Sequence, residues 1–478
     1  MGTHSKSAHP GPARRRRVDP GWVTLIILFL ISLPLVLPRL YASDSVKYFS
    51  YLHSLIFDGD LDFTNEYTYF MELNPQAISE GILKRDTTTD LPLNDAPVGT
   101  ALLWAPAYLL THGGVLLANA LGAPIAADGL SRPYLQAVCY TSTAYAFAGL
   151  LLSYRLCRRF FSPFASALSV ALIWLATPAF FYSHANPPWS HSASLFAVAL
   201  FVNVWYSTRK KRTPAQFFLL GLLGGLVALV REQDGLLLLL PALEGLLAYI
   251  HILRSPAQDL QTSRGAALLA LLGRHALLLG GVILAFSPQL AVYRVLNGRF
   301  APNPAVSGKF TWWSPHFFQV LGDPHYGLLV WSPLTILALT GLFLLLRRDR
   351  LLVAALGLAF LAQVYIVGSF LTWQGLGSFG LRRFINCTII FALGLAALIT
   401  WAREKRVPAW ALVVLGGLFV AWNAGLMANW VLYPEDRQAG LVWEHLPQRI
   451  FWEIPRQGPD FVRRLLFERR GLFENPGG

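Results

Sequence analysis

Charge, cysteine and methionine are all scarce in this sequence. Only 14% of its 478 residues are Asp, Glu, Lys or Arg, and it has three cysteines and three methionines. About a quarter of a soluble domain is charged, so an ordinary soluble enzyme is excluded. The cysteines, Cys139, Cys157 and Cys387, are an odd number and fall in or at the ends of apolar segments. They make neither a disulfide framework nor a zinc spacing and read as buried packing residues. No Walker loop, HExxH, GxSxG or CxxC pair occurs. ATP-driven transport, zinc proteolysis and esterase chemistry lose their usual signatures with them.

What the chain does have is apolar length. Hydrophobic residues make up 54% of it, and several runs exceed the ~18 residues that mark a bilayer span. The net charge of +13 does not point to nucleic acid, because no soluble basic module is present. In a membrane chain it reflects Lys and Arg gathered in cytoplasmic loops. Spans are expected near 21–40, 133–154, 163–182, 192–208, 214–230, 235–253, 275–296, 326–346, 351–370, 385–402 and 408–428. Arg14–Arg17 precede the first, which lacks a small-x-small cleavage site and reads as an uncleaved span. The apolar stretch Val98–Leu121 is laid on or partly into the outer surface, because a crossing there would carry Arg155, Arg158 and Arg159 outside. Cytoplasmic segments then hold 21 of the 39 Lys and Arg but four acids. The N-terminus is expected in the cytoplasm and the C-terminus outside.

The expected fold is an all-α polytopic membrane protein of about eleven transmembrane helices. Residues 1–20 form a basic cytoplasmic N-terminus, 21–428 the multispan domain, and 429–478 an exterior amphipathic tail. The long first exterior loop, 41–132, holds 11 acids against four bases. A loop of that length in a compact protein is usually functional or structured. Residues 45–57 suit a surface helix, with Lys47, Ser50 and Ser54 on one stripe and Val46, Phe49, Leu52 and Ile56 opposite. Asp44 at its start is either a helix N-cap or a general base at the water–membrane boundary. Asp58, Asp60 and Asp62 (DGDLD) invite a metal reading, but Phe63 and Tyr69 stand where a calcium loop needs Gly and Glu. A solvated turn beside Asn65 and Glu66 is favoured there. An irregular divalent-cation site is the alternative, and no other cofactor is indicated.

Four passages carry a family likeness: SDSVKYFSYLHSLIFDGDLDFTNEY at 43–67, NDAPVGTALLWAPAYLL at 94–110, SRPYLQAV at 131–138 with YRLCRRFFSP after it, and WQGLGSFGLRRF at 373–384. In these the chain resembles the bacterial integral-membrane glycosyltransferases of the GT-C superfamily, near the protein O-mannosyltransferase and aminoarabinose transferase branch. The resemblance implies a polyprenyl-phosphate sugar donor, transfer at the exterior (periplasmic) face of the inner membrane, and inversion at the anomeric carbon. It places the base at Asp44. Where the family often has a second acid, this chain has Ser45, so Asp44 is the single candidate.

The leaving group would be a lipid phosphate, which needs cations in a water-poor site. Arg231 at an outer span end and Arg382 and Arg383 beside Gly375, Gly377 and Gly380 are the first candidates. His191 and Lys309 are further ones. Trp312 and Trp313 read as interfacial belt residues sooner than as a sugar platform. The acceptor, whether protein, glycan or lipid, is not indicated. The alternative reading is a non-enzymatic carrier or flippase for a lipid or small solute, which acids deep inside spans would favour. Glu244 alone meets that condition.

Overall fold

A computed structural model describes residues 19–468 except 41, 76, 77, 79, 86, 87 and 257–261. The basic residues 6–17 and the last ten residues lie outside the described part. Fifteen helices matter here. They are α1 Pro20–Ser32, α2 Ser43–His53, α3 Thr64–Leu73, α4 Gly99–Ala120, α5 Arg132–Cys157, α6 Pro163–Leu175 and α7 Ser190–Thr208. Then follow α8 Pro214–Val230, α9 Leu239–Arg254, α10 Arg264–Asn297, α11 Leu334–Leu345, α12 Arg350–Ser369, α13 Thr388–Glu404, α14 Ala409–Leu432 and α15 Ile454–Phe467. Among the described residues the only β pairing is an isolated bridge between Phe310 and Phe370.

Every expected span coincides with helix. Among the described residues, 7 helices are individually long and apolar enough to cross a membrane. The segment at 163–185 qualifies as a pair bent by 72° where Thr177 restarts the helix at Pro178. Pro20–Leu35, Pro214–Val230 and Leu334–Leu345 are shorter apolar helices. α4, read from charge as a surface segment, is itself a 22-residue apolar helix of spanning length.

Several helices are started by local chemistry. Asp19, Ser162, Thr213 and Asp349 accept a hydrogen bond from a first-turn amide, and Pro20, Pro163 and Pro214 hold the first helical position. The helices then pack by small residues. In α11 and α13, Gly341 and Gly394 face each other so closely that a methyl on Gly394 would meet the carbonyl oxygen of Ala338. Such backbone approach is how apolar helices associate where burial from water offers no drive. Gly394→Val should therefore lower stability by about 1–3 kcal/mol, the usual scale of overpacking. A thermal unfolding midpoint in detergent equal to wild type would show that these helices do not rely on the approach.

The charges sort along the helices. Arg158 pairs with Asp19 at 2.8 Å, Arg209 pairs with Asp349, and Arg348 donates to the carbonyl of Phe160. These groups stand together at one end of α1, α5, α7 and α12. Glu244 is paired with Arg212 at 3.2 Å and accepts from the indole of Trp205 at 2.8 Å. The one acid expected inside a span is thus a satisfied structural group. The three cysteines are buried and free.

The first loop is a folded unit with its own core. Phe49, Tyr51, Phe63, Tyr67, Phe70, Trp104 and Tyr108 are buried together, against Leu229 of α8 and Val292 and Leu296 of α10. α2 is accordingly no simple surface helix. Ser50 and Ser54, expected on a polar stripe, are buried, and their hydroxyls donate to the carbonyls of Val46 and Asp60. The described tail, 429–468, folds back on the 323–326 loop. Leu441 exchanges bonds with His325, and Trp443 donates to the carbonyl of Pro324.

Candidate active site

Asp44 sits in the first turn of α2, but it does not cap the helix. Ser45 does that work: its hydroxyl accepts from the amide of Ala42 and donates to that residue's carbonyl. The Asp44 carboxylate is left for another partner, and Arg382 supplies it, 338 positions away, with Nη2 at 2.8 Å from Oδ2. Asp44 keeps 43% of its side chain exposed, and Oδ1 faces no described donor.

The exposed side is a cleft of about 350 Å³. Asp44, His191, Arg231, Arg382 and Arg383 all line it, with Lys47, Tyr48, Asp95, Trp189 and Ser190. Five of the six residues singled out in the sequence thus meet at one place. The sixth, Lys309, reaches its rim through Asp95, at 3.7 Å. Trp312 and Trp313 do not line it. Trp312 stacks on Phe310, and Trp313 is wholly exposed.

The three arginines are held differently. Arg382 lies over the ring of Trp189 at 4.2 Å, a cation–π contact that fixes the guanidinium while it holds Asp44. Arg231 donates to Nδ1 of His191 at 2.6 Å and to Ser190 at 3.3 Å. Asp234 lies 4.0 Å from it and is otherwise occupied by Ser194 and Asn386. Glu232, the next residue, accepts from Tyr293. Arg383 stands over the ring of Phe370 at 4.3 Å. Its carbonyl accepts from Gln363 at 2.8 Å. Among the described residues no carboxylate lies within ion-pair distance of Arg383. A cation without a counter-charge beside two other arginines makes this wall of the cleft a place for an anion.

The glycines near the arginines act on the chain, not on the cleft. Gly375, Gly377 and Gly380 all have positive φ, and none lines the cavity. At Gly380, φ +59, a side chain would also run into Pro178 and Trp331. Glycine is required there to deliver Arg382 and Arg383 from a tight turn.

The cleft holds a second charged group that sequence reasoning passed over. Lys47 pairs with Asp95 at 2.6 Å. Burial acts against the Lys47 ammonium, but the charges of Asp95 and Asp44 outweigh it and raise its pKa. Burial would likewise raise Asp95, yet Lys47 and then Lys309 hold it below the ordinary carboxylate value. An acid whose folded pKa is lowered stabilises the fold above its unfolded value of 3.8 and loses that contribution as pH falls through the folded one. Asp95→Asn should flatten the acid limb of a stability–pH curve below about pH 4. An unchanged limb would place the acid sensitivity elsewhere. The signal for this pair was present: Lys47 stands three residues after Asp44, one helical turn on. Asp95 falls in the NDAPVG passage.

The acidic run 58–62 is a stapled turn. Asp60 accepts from Ser54 and from the amide of Asp62, and Asp62 accepts from Thr64. Asp58 turns the other way, toward Asn65 and His53.

The architecture is nearly all helical, with a folded first loop over a multispan body, and it is shared with a solved membrane protein. A solved neighbour is the aminoarabinose transferase ArnT from Cupriavidus metallidurans bound to undecaprenyl phosphate. It matches with a TM-score of 0.50 and 17% identity, over 95% of this chain and 73% of that one. No family model and no curated protein matches the sequence.

Proposed function

We propose that this protein is an inverting glycosyltransferase that moves a sugar from a polyprenyl-phosphate donor onto an acceptor hydroxyl at the exterior face of the inner membrane. The observation that carries this reading is the shared cleft: a half-exposed carboxylate, Asp44, facing an anion-binding wall of Arg231, Arg382 and Arg383. The cleft lies at the end of α7 and α8 marked by His191 and Arg231, opposite the end that gathers Arg158, Arg209 and Arg348. The positive-inside rule makes that second end cytoplasmic, with the N-terminus beside it and the tail outside. The neighbour's undecaprenyl phosphate supports a lipid phosphate as the donor's carrier here.

In this reading the acceptor hydroxyl lies against Oδ1 of Asp44, which takes its proton as the oxygen attacks the anomeric carbon. The bond from that carbon to the phosphate oxygen breaks, and its electron pair leaves with the polyprenyl phosphate. Attack from the face opposite the phosphate inverts the anomeric centre. Arg231 and Arg383 stabilise the departing charge, Arg382 orients the base, and His191 and Lys309 support Arg231 and Asp95.

The test is reconstitution in liposomes with an undecaprenyl-phosphate-linked, radiolabelled sugar and an envelope extract as acceptor. Label should pass from the lipid into a new glycoside. Label that only changes leaflet would replace the enzyme with a carrier.

A further inference from the structure

The first loop carries a second cluster that the cleft does not use. His53 ends α2, Glu66 lies in the first turn of α3, and Asp58 lies in the turn between them. His53 Nδ1 is 2.7 Å from Glu66 Oε1 and 3.4 Å from Asp58 Oδ2. The other ring nitrogen, Nε2, is 3.0 Å from the carbonyl oxygen of Asp128. A carbonyl only accepts, so Nε2 carries the hydrogen. Nδ1 therefore turns toward two carboxylates, and either a proton, on the ring or on a carboxyl, or a metal ion must join them. Anchoring one ring nitrogen on a carbonyl is how proteins aim a histidine at a metal. Phe57, stacked on the ring at 5.1 Å, fixes its plane.

Glu66 supplies the independent observation. Its residue is 0% exposed, and Oε2 has no hydrogen-bond partner. A buried carboxylate oxygen left bare is costly, and no Lys or Arg among the described residues pairs with Glu66 or Asp58. The three ligand atoms lie within 4.8 Å of one another. Atoms bound to one tetrahedral ion at 2.0–2.2 Å are about 3.3–3.6 Å apart, so small side-chain rotations complete the set. Asp58 is partly exposed and opens onto a groove lined also by Asp60, Asp62 and Glu72. That groove is an acidic path from solvent for a cation.

We propose that His53, Asp58 and Glu66 form a three-ligand site for a transition-metal dication, with Zn²⁺ the best match. An imidazole with two carboxylates suits zinc, or manganese after it, whereas calcium and magnesium want oxygen throughout. The ion would pin the last turn of the helix bearing Asp44 to α3 and, through Asp128, to the approach of α5. None of the three ligands lines the cleft, and the site stands whether or not the cleft transfers sugar. The short Nδ1–Oε1 contact is the protonated form of the same site, so metal and proton compete for it.

The test uses the full chain in detergent, stripped with a chelator and titrated with Zn²⁺ and, separately, with Co²⁺. Wild type should take one Zn²⁺ per chain, gain thermal stability and release about one proton per ion near neutral pH. Co²⁺ should give a visible absorption band. Asp58→Asn, at a partly exposed position that tolerates the change, should weaken Zn²⁺ binding at least tenfold to roughly a hundredfold, the scale that even outer-shell metal partners command. Glu66→Gln and His53→Gln should abolish stoichiometric binding. Should either fail to fold, the Asp58→Asn titration and the wild-type Co²⁺ band decide. An absent band, an unchanged affinity in Asp58→Asn, or a stripped protein that takes up no zinc overturns the proposal and leaves a protonated His53–Glu66 pair.

Discussion

Asp44→Asn should lower sugar transfer by about 10²–10⁴-fold, the contribution of a positioned general base. The substitution is close to isosteric. The amide oxygen can still accept from Arg382, whose guanidinium stays stacked on Trp189. The fold and cleft should therefore survive, and what disappears is the carboxylate proposed to take the acceptor's proton; Asp95 and Glu232, which also line the cleft, are held by Lys47 and Tyr293. Donor affinity should hold or tighten, because one negative charge beside the phosphate is gone. The measurement is radiolabelled transfer in liposomes, paired with undecaprenyl phosphate binding to the same preparation. Full transfer by the variant would remove Asp44 from the mechanism. Lost binding together with lost transfer would make it a ligand-binding residue instead.

Arg383→Ala should cost about 10²–10³-fold in transfer, the scale seen when one preorganised stabiliser of developing charge is removed. Arg383 is the clean position for this test. Removing Arg382 would strip Asp44 of its partner, and removing Arg231 would release His191. Arg383 has only the Phe370 ring beneath its guanidinium, so its loss frees no buried acid. The thermal midpoint should stay near that of wild type while inhibition by free undecaprenyl phosphate weakens. Arg383→Lys keeps the charge but not the fork geometry and should recover part of the activity. Unaltered kcat/KM in the alanine variant would show that the phosphate lies elsewhere.

The body of the fold was legible because the bilayer imposes a simple rule. Apolar runs of fixed length had to be helices, and their flanking bases had to share a side. Arg158, Arg209 and Arg348, far apart in sequence, do stand together. The gathering of Asp44 with Arg231 and Arg382 was readable for the same reason, since outer ends of spans lie near one plane. Local chemistry in the first loop was harder. The stripe of Ser50 and Ser54 looked like a solvated face, yet both hydroxyls are satisfied by backbone carbonyls inside an aromatic core. Periodicity shows which residues share a side of a helix but not what covers that side. α4 is the converse case. Its charge context and its apolar length point to different placements, and only its length and packing are visible in the helix itself. The pairing of His53 with Glu66 escaped for want of spacing, because 13 residues and a turn separate the partners. The sequence reading weighs a metal at Asp58, Asp60 and Asp62 and favours a solvated turn; Asp60 and Asp62 do staple a turn, whereas Asp58 stands beside His53.

The bond between Asp44 and Arg382 also has a consequence in time. The two residues are 338 positions apart, and at about 5–20 residues per second the ribosome needs roughly 17 to 70 seconds to travel between them. Through that interval the carboxylate is already made while the guanidinium that holds it is not. A nascent or prematurely ended chain thus carries half of the pair, which is complete only once the turn that bears Arg382 has been made.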